Sequence, residues 1–315
     1  MNTPITVDLR RKKILLTGGA GFLGTYVFDK LLARGVPREQ ITVPRSSAID
    51  LRVRENCEKA VVGQDIVIHL AADAGGIGYN QSKSAQLFYN NILMGVHIIE
   101  AARLQGVEKI LTLGTICSYP KLTPVPFKEQ DLWSGYPEET NAPYGLAKKM
   151  MLVQAQAYRH DYGFNAIHLL TVNLYGPRDN FDSRRSHVIP ALIRKVREAE
   201  RENLPFIEVW GTGNATREFL YVDDAAEGIL LAAERYDKGD PVNIGSGQEI
   251  AIRQLVETLT RLMKFRGEIQ WTNATDGQPR RALDTTSAER EFGFKAKMPF
   301  EEGLRRTIEW FDSNC

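Results

Sequence analysis

Lys13–Ile14–Leu15–Leu16–Thr17–Gly18–Gly19–Ala20–Gly21–Phe22–Leu23–Gly24 decides the fold. Its opening is a short apolar run behind a charge cluster, with no polar alternation, as in a parallel strand buried on both faces. Gly18, Gly21 and Gly24 follow at once in a G-x-x-G-x-x-G spacing. Glycine permits the tight turn and lets backbone N–H groups approach a pyrophosphate at a helix N-terminus. From Phe22 to Arg34, Phe28, Leu31 and Leu32 recur at helical spacing, and Gly35 with Pro37 ends the pattern. A glycine triplet alone is weak evidence. Between a strand and a helix it reads as a dinucleotide loop.

Further strands are expected at Ile41–Val43, Ile66–Leu70, Lys109–Leu113 and Ala166–Leu170, with long helices at Ala85–Gln105 and Tyr144–His160 between the last three. This alternation is the mark of an α/β chain with a doubly wound parallel (Rossmann) sheet. The loop from Ser118 to Asn141, broken by Pro120, Pro124, Pro126 and Pro137, cannot be a long helix. Beyond Tyr175–Gly176–Pro177 the rhythm is irregular, with helices near Val188–Glu200, Val222–Glu234 and Ile252–Lys264. The expected division is a nucleotide domain over 1–175 with a returning segment near 219–250. A smaller substrate domain then takes 176–218 and 251–315.

Bulk composition narrows the partners. Among 315 residues, 40 Lys+Arg stand against 39 Asp+Glu, a net charge of +1 that disfavours a nucleic-acid partner. No apolar run reaches the roughly 18 residues that span a membrane, and Met1 to Lys13 lacks the apolar stretch of a signal peptide. Cys57, Cys117 and Cys315 are too scattered for a disulfide framework. A cytoplasmic protein with reduced thiols, no bound metal and no membrane partner is expected.

The second strand ends Val43–Pro44–Arg45–Ser46–Ser47, with no acid before Asp50 to hold a ribose 2′-OH. A cation and hydroxyls suit a 2′-phosphate instead, so NADP is expected with Arg45 as its main contact, NAD remaining open. As a bare residue, Arg45 reads equally as a solvated loop charge. Phe22, Leu23, Asp50, Leu51, Leu70, Ala71 and Ala72 complete the expected cofactor contacts. Tyr144 and Lys148 stand four apart behind Asn141 and Pro143, which suit a helix start, so phenol and ammonium share one helical face. A free tyrosine titrates near about 10 and needs a cation to work near neutrality. Lys148 and an oxidised nicotinamide ring are both expected to lower it. Thr115, at the end of a strand, adds a hydroxyl to hold a substrate carbonyl. Cys117 is a thiol that neighbouring cations could tune into a base, and His187 titrates near neutrality. Taken singly they read as a packed cysteine and an exposed loop histidine.

The glycine loop, Thr115 and Tyr144–x₃–Lys148 resemble the extended short-chain dehydrogenase/reductase family. Cys117–Ser118–Tyr119–Pro120–Lys121, Asn173–Leu174–Tyr175–Gly176–Pro177, Ser186–His187–Val188–Ile189–Pro190, Val209–Trp210–Gly211, Arg217–Glu218–Phe219–Leu220–Tyr221 and Asp276–Gly277–Gln278–Pro279–Arg280–Arg281 are similar to the GDP-L-fucose synthase subfamily within it. The resemblance implies a GDP-4-keto-6-deoxy-D-mannose substrate, epimerised at C3 and C5 by Cys117 and His187. NADPH-dependent reduction at C4 would follow, with Tyr144 as proton donor. It further implies GDP-sugar contacts from Asn173, Ser186, Lys195, Trp210, Arg217 and Arg281, and a homodimer built as a four-helix bundle from the two long helices. Thr115 stands where the family often has serine, Ile116 where it has a second serine, and Ala20 where some members carry a basic residue that helps select NADPH. The rival reading is a GDP-sugar epimerase of the GDP-mannose 3,5-epimerase type, or a 4-reductase acting on a related GDP-hexose or GDP-heptose.

Overall fold

The computed structural model describes residues 7–272 and 277–315, so Asp276 lies outside the described residues. In chain order the first elements are β1 (Ile14–Thr17), α1 (Phe22–Ala33), β2 (Ile41–Thr42), α2 (Arg54–Val61) and β3 (Ile66–His69). There follow α3 (Ile77–Ser82), α4 (Ser84–Leu104), β4 (Lys109–Thr115), α5 (Ala142–Tyr162), β5 (Ala166–Thr171) and β6 (Asn173–Tyr175). The chain then forms α6 (Val188–Arg201), β7 (Phe206–Val209), β8 (Thr216–Tyr221), α7 (Val222–Arg235) and β9 (Val242–Ile244). Last come β10 (Glu249–Ala251), α8 (Ile252–Met263), β11 (Glu268–Trp271), α9 (Thr286–Phe292) and α10 (Phe300–Asn314).

Six parallel strands order β2-β1-β3-β4-β5-β9. Apart from the edge strand β2, each strand is buried along its whole length because both faces are covered. Leu15 and Val67 join Cys57, Val61, Ile98 and Met151 on the side of α2, α4 and α5. Leu16 and Ile68 join Val27, Leu31, Ile229 and Ala233 on the side of α1 and α7. The chain leaves β1 for β2 on one side and then crosses to β3 on the other. That reversal opens a crevice at the carboxyl ends of the strands, where ligands of such sheets bind. Thr17, His69, Thr115 and Thr171 all end strands on that edge.

A second core forms where α6, α8 and α10 pack together through Ile189, Leu192, Ile193, Val196, Leu255, Leu259, Leu304 and Ile308. Antiparallel β10–β8, parallel β8–β6 and the parallel β11–β7 pair lie beside it. The short strands β6 to β11 and the helices α2, α3, α9 and α10 were not anticipated from the sequence.

Candidate active site

The glycine turn shows why only glycine serves. Gly18 has φ +71°, and a Cβ there would lie 2.7 Å from the Ala71 nitrogen. A Cβ on Gly24 would lie 2.0 Å from the Gly18 carbonyl oxygen. Gly21 is the N-cap of α1, its N–H donating to Gly18 O at 2.9 Å. The turn is therefore a bare-backbone cradle at a helix N-terminus, a form that fits a pyrophosphate. Beside it, Thr17 Oγ1 shares a 2.8 Å hydrogen bond with His69 Nδ1 and accepts from the Ala71 N–H. Burial, aided by Lys148, pushes His69 down to about 3, so this pin between β1 and β3 carries no charge at neutral pH.

Below the cradle a cavity of about 600 Å³ opens between the sheet edge and the second core. Its wall includes Thr115, Cys117, Tyr144, Lys148 and His187 together with Asn173, Ser186, Lys195, Trp210, Arg217 and Arg281. Phe22, Leu70 and Ala72 line its nucleotide end. Gly18, Gly21, Leu23, Gly24, Arg45, Asp50, Leu51 and Ala71 lie outside that lining. Arg45 is exposed, in a turn closed by Ala48 and Ile49 N–H groups on its carbonyl. Asp50 accepts a fork of hydrogen bonds from Arg52, which holds its carboxyl below the usual range, and Leu51 is buried against Cys57.

Helix α5 carries Tyr144 and Lys148 into the cavity. Gly145 lets it come close, since a Cβ there would sit 2.2 Å from the Cys117 carbonyl oxygen. Ser118 Oγ completes the junction by donating to Gly145 O at 2.8 Å. The expected lowering of Tyr144 does not occur in this environment. Burial, with the Cys117 thiol and Asp73, pushes the phenol above its ordinary value. The physical reason is burial of the phenol itself; Lys148, 3% exposed, is desolvated too and pushed down to about 8. Thr115 Oγ1 accepts from the Cys117 N–H at 3.2 Å, which fixes the two groups relative to each other.

His187 caps α6 at its N-terminus. Its ring is exposed on the cavity wall, yet the protein atoms around it desolvate the imidazole and lower it below the ordinary 6.5. The loop before it is stapled to the β3–α3 segment. Arg185 donates to Asp73 Oδ1 at 2.8 Å and lies 4.5 Å over the Tyr79 ring, while the Gly76 N–H donates to Arg185 O at 3.0 Å.

At the far end Lys195 Nζ donates to Glu208 O at 2.9 Å, and Arg217 Nη1 donates to Gln278 O at 2.8 Å. Trp210 is 60% exposed. Arg281, an expected GDP-sugar contact, lines the cavity and points its guanidinium at the Cys117 sulfur, 3.6 Å away. Glu138 and Gln278, both buried beside it, were missed in the sequence, as were Asn80, Asp73 and Arg185. The one local signal was Thr140–Asn141 at the head of α5, which marks a polar helix start and little more.

Among the described residues no group of three or more His, Cys, Asp or Glu side chains is arranged to hold a metal ion. No helix among them is long and apolar enough to cross a membrane.

A parallel sheet with a glycine cradle at its switch point and a Tyr–Lys pair beneath it defines an extended short-chain dehydrogenase/reductase. The chain belongs to the NAD dependent epimerase/dehydratase family, whose model matches residues 14–245. It is 38% identical to a GDP-L-fucose synthase of Sinorhizobium fredii, over 96% of each chain. It is 37% identical to a probable GDP-L-fucose synthase of rice, Oryza sativa subsp. japonica, over 96% of this chain and 92% of that one. A solved GDP-L-fucose synthetase from Naegleria fowleri bound to NADP superposes with a TM-score of 0.85 at 27% identity, covering 100% of this chain and 98% of that one.

Proposed function

We propose that this chain converts GDP-4-keto-6-deoxy-D-mannose to GDP-L-fucose, by epimerisation at C3 and C5 and NADPH-dependent reduction at C4. The observation that carries the reading is convergence: Thr115, Cys117, Tyr144, Lys148 and His187 line one cavity with Lys195, Trp210 and Arg217. Inverting a carbon needs a proton removed on one face and returned on the other, hence two titratable groups from separate segments. Cys117 and His187 are such a pair.

The 4-keto group makes the protons at C3 and C5 removable. The Cys117 thiolate takes one, the C–H electrons moving into an enolate whose oxygen Thr115 and Tyr144 hold with their hydroxyls. His187 returns a proton to the opposite face; Cys117 then loses its proton to water and His187 regains one from water, and the cycle repeats at the second carbon. NADPH, when bound, supplies hydride to C4. Tyr144 gives its proton to the C4 oxygen, and a phenol kept neutral by burial is ready to donate. Lys148 would hold the nicotinamide ribose. Gly18, Gly21, Phe22, Leu23 and Gly24 would hold the pyrophosphate, and Arg45 the 2′-phosphate. Asp50 and Leu51 would flank the adenine, with Leu70, Ala71 and Ala72 along the nicotinamide side. Lys195 and Arg217 suit the substrate diphosphate, Trp210 offers a face to pack on, Asn173 and Ser186 add polar contacts, and Arg281 stands at the sugar end.

We further propose the division into a nucleotide domain, 1–175 with 219–250, and a substrate domain, 176–218 with 251–315. It is supported by the separate core of α6, α8 and α10, although Leu283, Ala288, Phe292 and Phe294 dock back onto the sheet-side core. A homodimer through α4 and α5 fits their exposed apolar side chains Phe88, Tyr89, Val96 and Val153. The free thiols suit the reducing cytoplasm.

The test supplies GDP-4-keto-6-deoxy-D-mannose and NADPH in heavy water and reads the product by NMR. Deuterium at C3 and C5 with a reduced C4 is expected; reduction without deuterium defeats the epimerase half. Cys117→Ala is expected to lose exchange while still binding NADPH, and exchange at the wild-type rate would remove Cys117 as the base.

A further inference from the structure

Behind Cys117 runs a buried chain of polar groups of which the proposed reaction uses only the last, Arg281. Asn80 of α3 donates through Nδ2 to Asn141 Oδ1 at 3.0 Å. Asn141 in turn donates to Glu138 Oε2, and the Thr140 N–H donates to Glu138 Oε1 at 3.1 Å. Arg281 Nη2 lies 3.6 Å from Glu138 Oε2. Its Nε donates to Gln278 Oε1 at 2.7 Å, and Gln278 is anchored by donating to Lys121 O at 2.8 Å. The chain ends where Arg281 Nη1 donates to Cys117 Sγ at 3.6 Å. Glu138 and Arg281 are 9% and 7% exposed, so both charges are held out of bulk water and act at close range.

A guanidinium cannot shed its proton, so the sulfur faces a permanent positive charge. Burial works against ionisation of Glu138, but Thr140, Asn141 and Arg281 outweigh it and keep the carboxyl below its ordinary value. The carboxylate therefore stays negative at working pH, with Arg281 between it and the thiol. We propose that Arg281 and Glu138 are positioning residues that set the ionisation of Cys117, Arg281 favouring the thiolate and Glu138 aiming the guanidinium while tempering its field. This rests on the reading of Cys117 as the base. The other titratable or charged groups facing the cavity are Tyr79 of α3, Tyr144 and Lys148 of α5, Arg184 and His187 ahead of α6, Arg194 and Lys195 on it, and Arg217 of β8. Of these and Arg281, Arg281 is the one bonded to the sulfur.

The two charges have opposite sign, and that makes the proposal testable. In a Cys57→Ser, Cys315→Ser background, the rate of iodoacetamide labelling of Cys117 is measured against pH by mass spectrometry, without cofactor. Arg281→Gln is expected to move the labelling midpoint up by about one pH unit or more, and Glu138→Gln, which keeps the shape and the hydrogen-bond acceptor, to move it down. Arg281→Lys, which keeps the charge, is expected to return most of the shift. An unmoved midpoint in Arg281→Gln, a shift in the same direction in both variants, or no recovery with lysine would overturn the proposal. These outcomes are separate from the base assignment. If Cys117→Ala keeps its exchange, the base reading fails whatever the labelling shows. If it loses exchange while the midpoints stay fixed, only the Glu138–Arg281 role fails.

Discussion

The two working corners of the cavity are built differently. Tyr144 and Lys148 sit on one helix, α5, and the helical repeat alone puts them side by side. Cys117 and His187 come from a strand-end turn and a helix cap, brought together only by tertiary packing. Cys117 is fixed by its neighbours' backbone, with Gly145 against its carbonyl and Arg281 against its sulfur. His187 is fixed by a loop stapled to Asp73 and Gly76. The lesson is that the hydride corner has one rigid support, whereas the proton corner is only as well placed as the contacts between two cores.

Three measurements can break or sharpen that contrast. Tyr144→Phe is expected to slow C4 reduction about 10³-fold, since it deletes the proposed proton donor, but to slow C3/C5 exchange only about tenfold because Thr115 remains. Equal losses in both steps would erase the distinction between the corners.

His187→Gln is expected to reverse the pattern, cutting exchange about 10²-fold while single-turnover reduction of a pre-epimerised substrate holds. Its pH profile adds a sign. Burial lowers the imidazole below 6.5, so its protonated, acidic form is lost as pH rises past a point below that value. A limb below pH 6.5 is therefore expected in wild-type exchange and should vanish in the variant; a limb surviving in His187→Gln would reassign the acid.

Lys148→Met tests the rigid corner through stability. The folded lysine sits at about 8, against 10.5 when free. The unfolded chain thus binds more protons between those values, and stability rises with pH across that window. The desolvation cost is fully present below about pH 8. Removing the charge is expected to stabilise the cofactor-free protein by about 2 kcal/mol at pH 7, roughly a 30-fold change in the folded ratio, with the gain gone above pH 10. Equal gains at both pH values in chemical denaturation would show packing, not charge, at work.

What could be read from the sequence divides along the same line. The glycine turn, the Tyr–x₃–Lys pair and the strand–helix alternation are local patterns, and β1, α1, α5 and five of the six sheet strands follow from them. Their ends shifted by a residue or two, since β4 runs on to Thr115 where hydrogen bonding to β5 persists. Glu138 and Gln278 escaped, and so did the contact of Arg281 with Cys117, because no periodicity links a proline-rich loop to a segment near the C-terminus. The lowering expected for Tyr144 was reasoned from helical proximity to Lys148, which is right about geometry and silent about desolvation. Short strands such as β7 and β10, three or four residues each, carry too little pattern to stand out.

The place of β9 in the sheet has a consequence for how the molecule is made. Val242–Ile244 pairs with Leu169–Thr171 at the sheet edge, after the chain has left to build α6, β7 and β8. Until residue 244 has emerged from the ribosome, β5 offers an open row of backbone donors and acceptors to any passing strand. The nucleotide half therefore cannot finish folding ahead of the rest, and a chain stopped short of Val242 should be prone to aggregate.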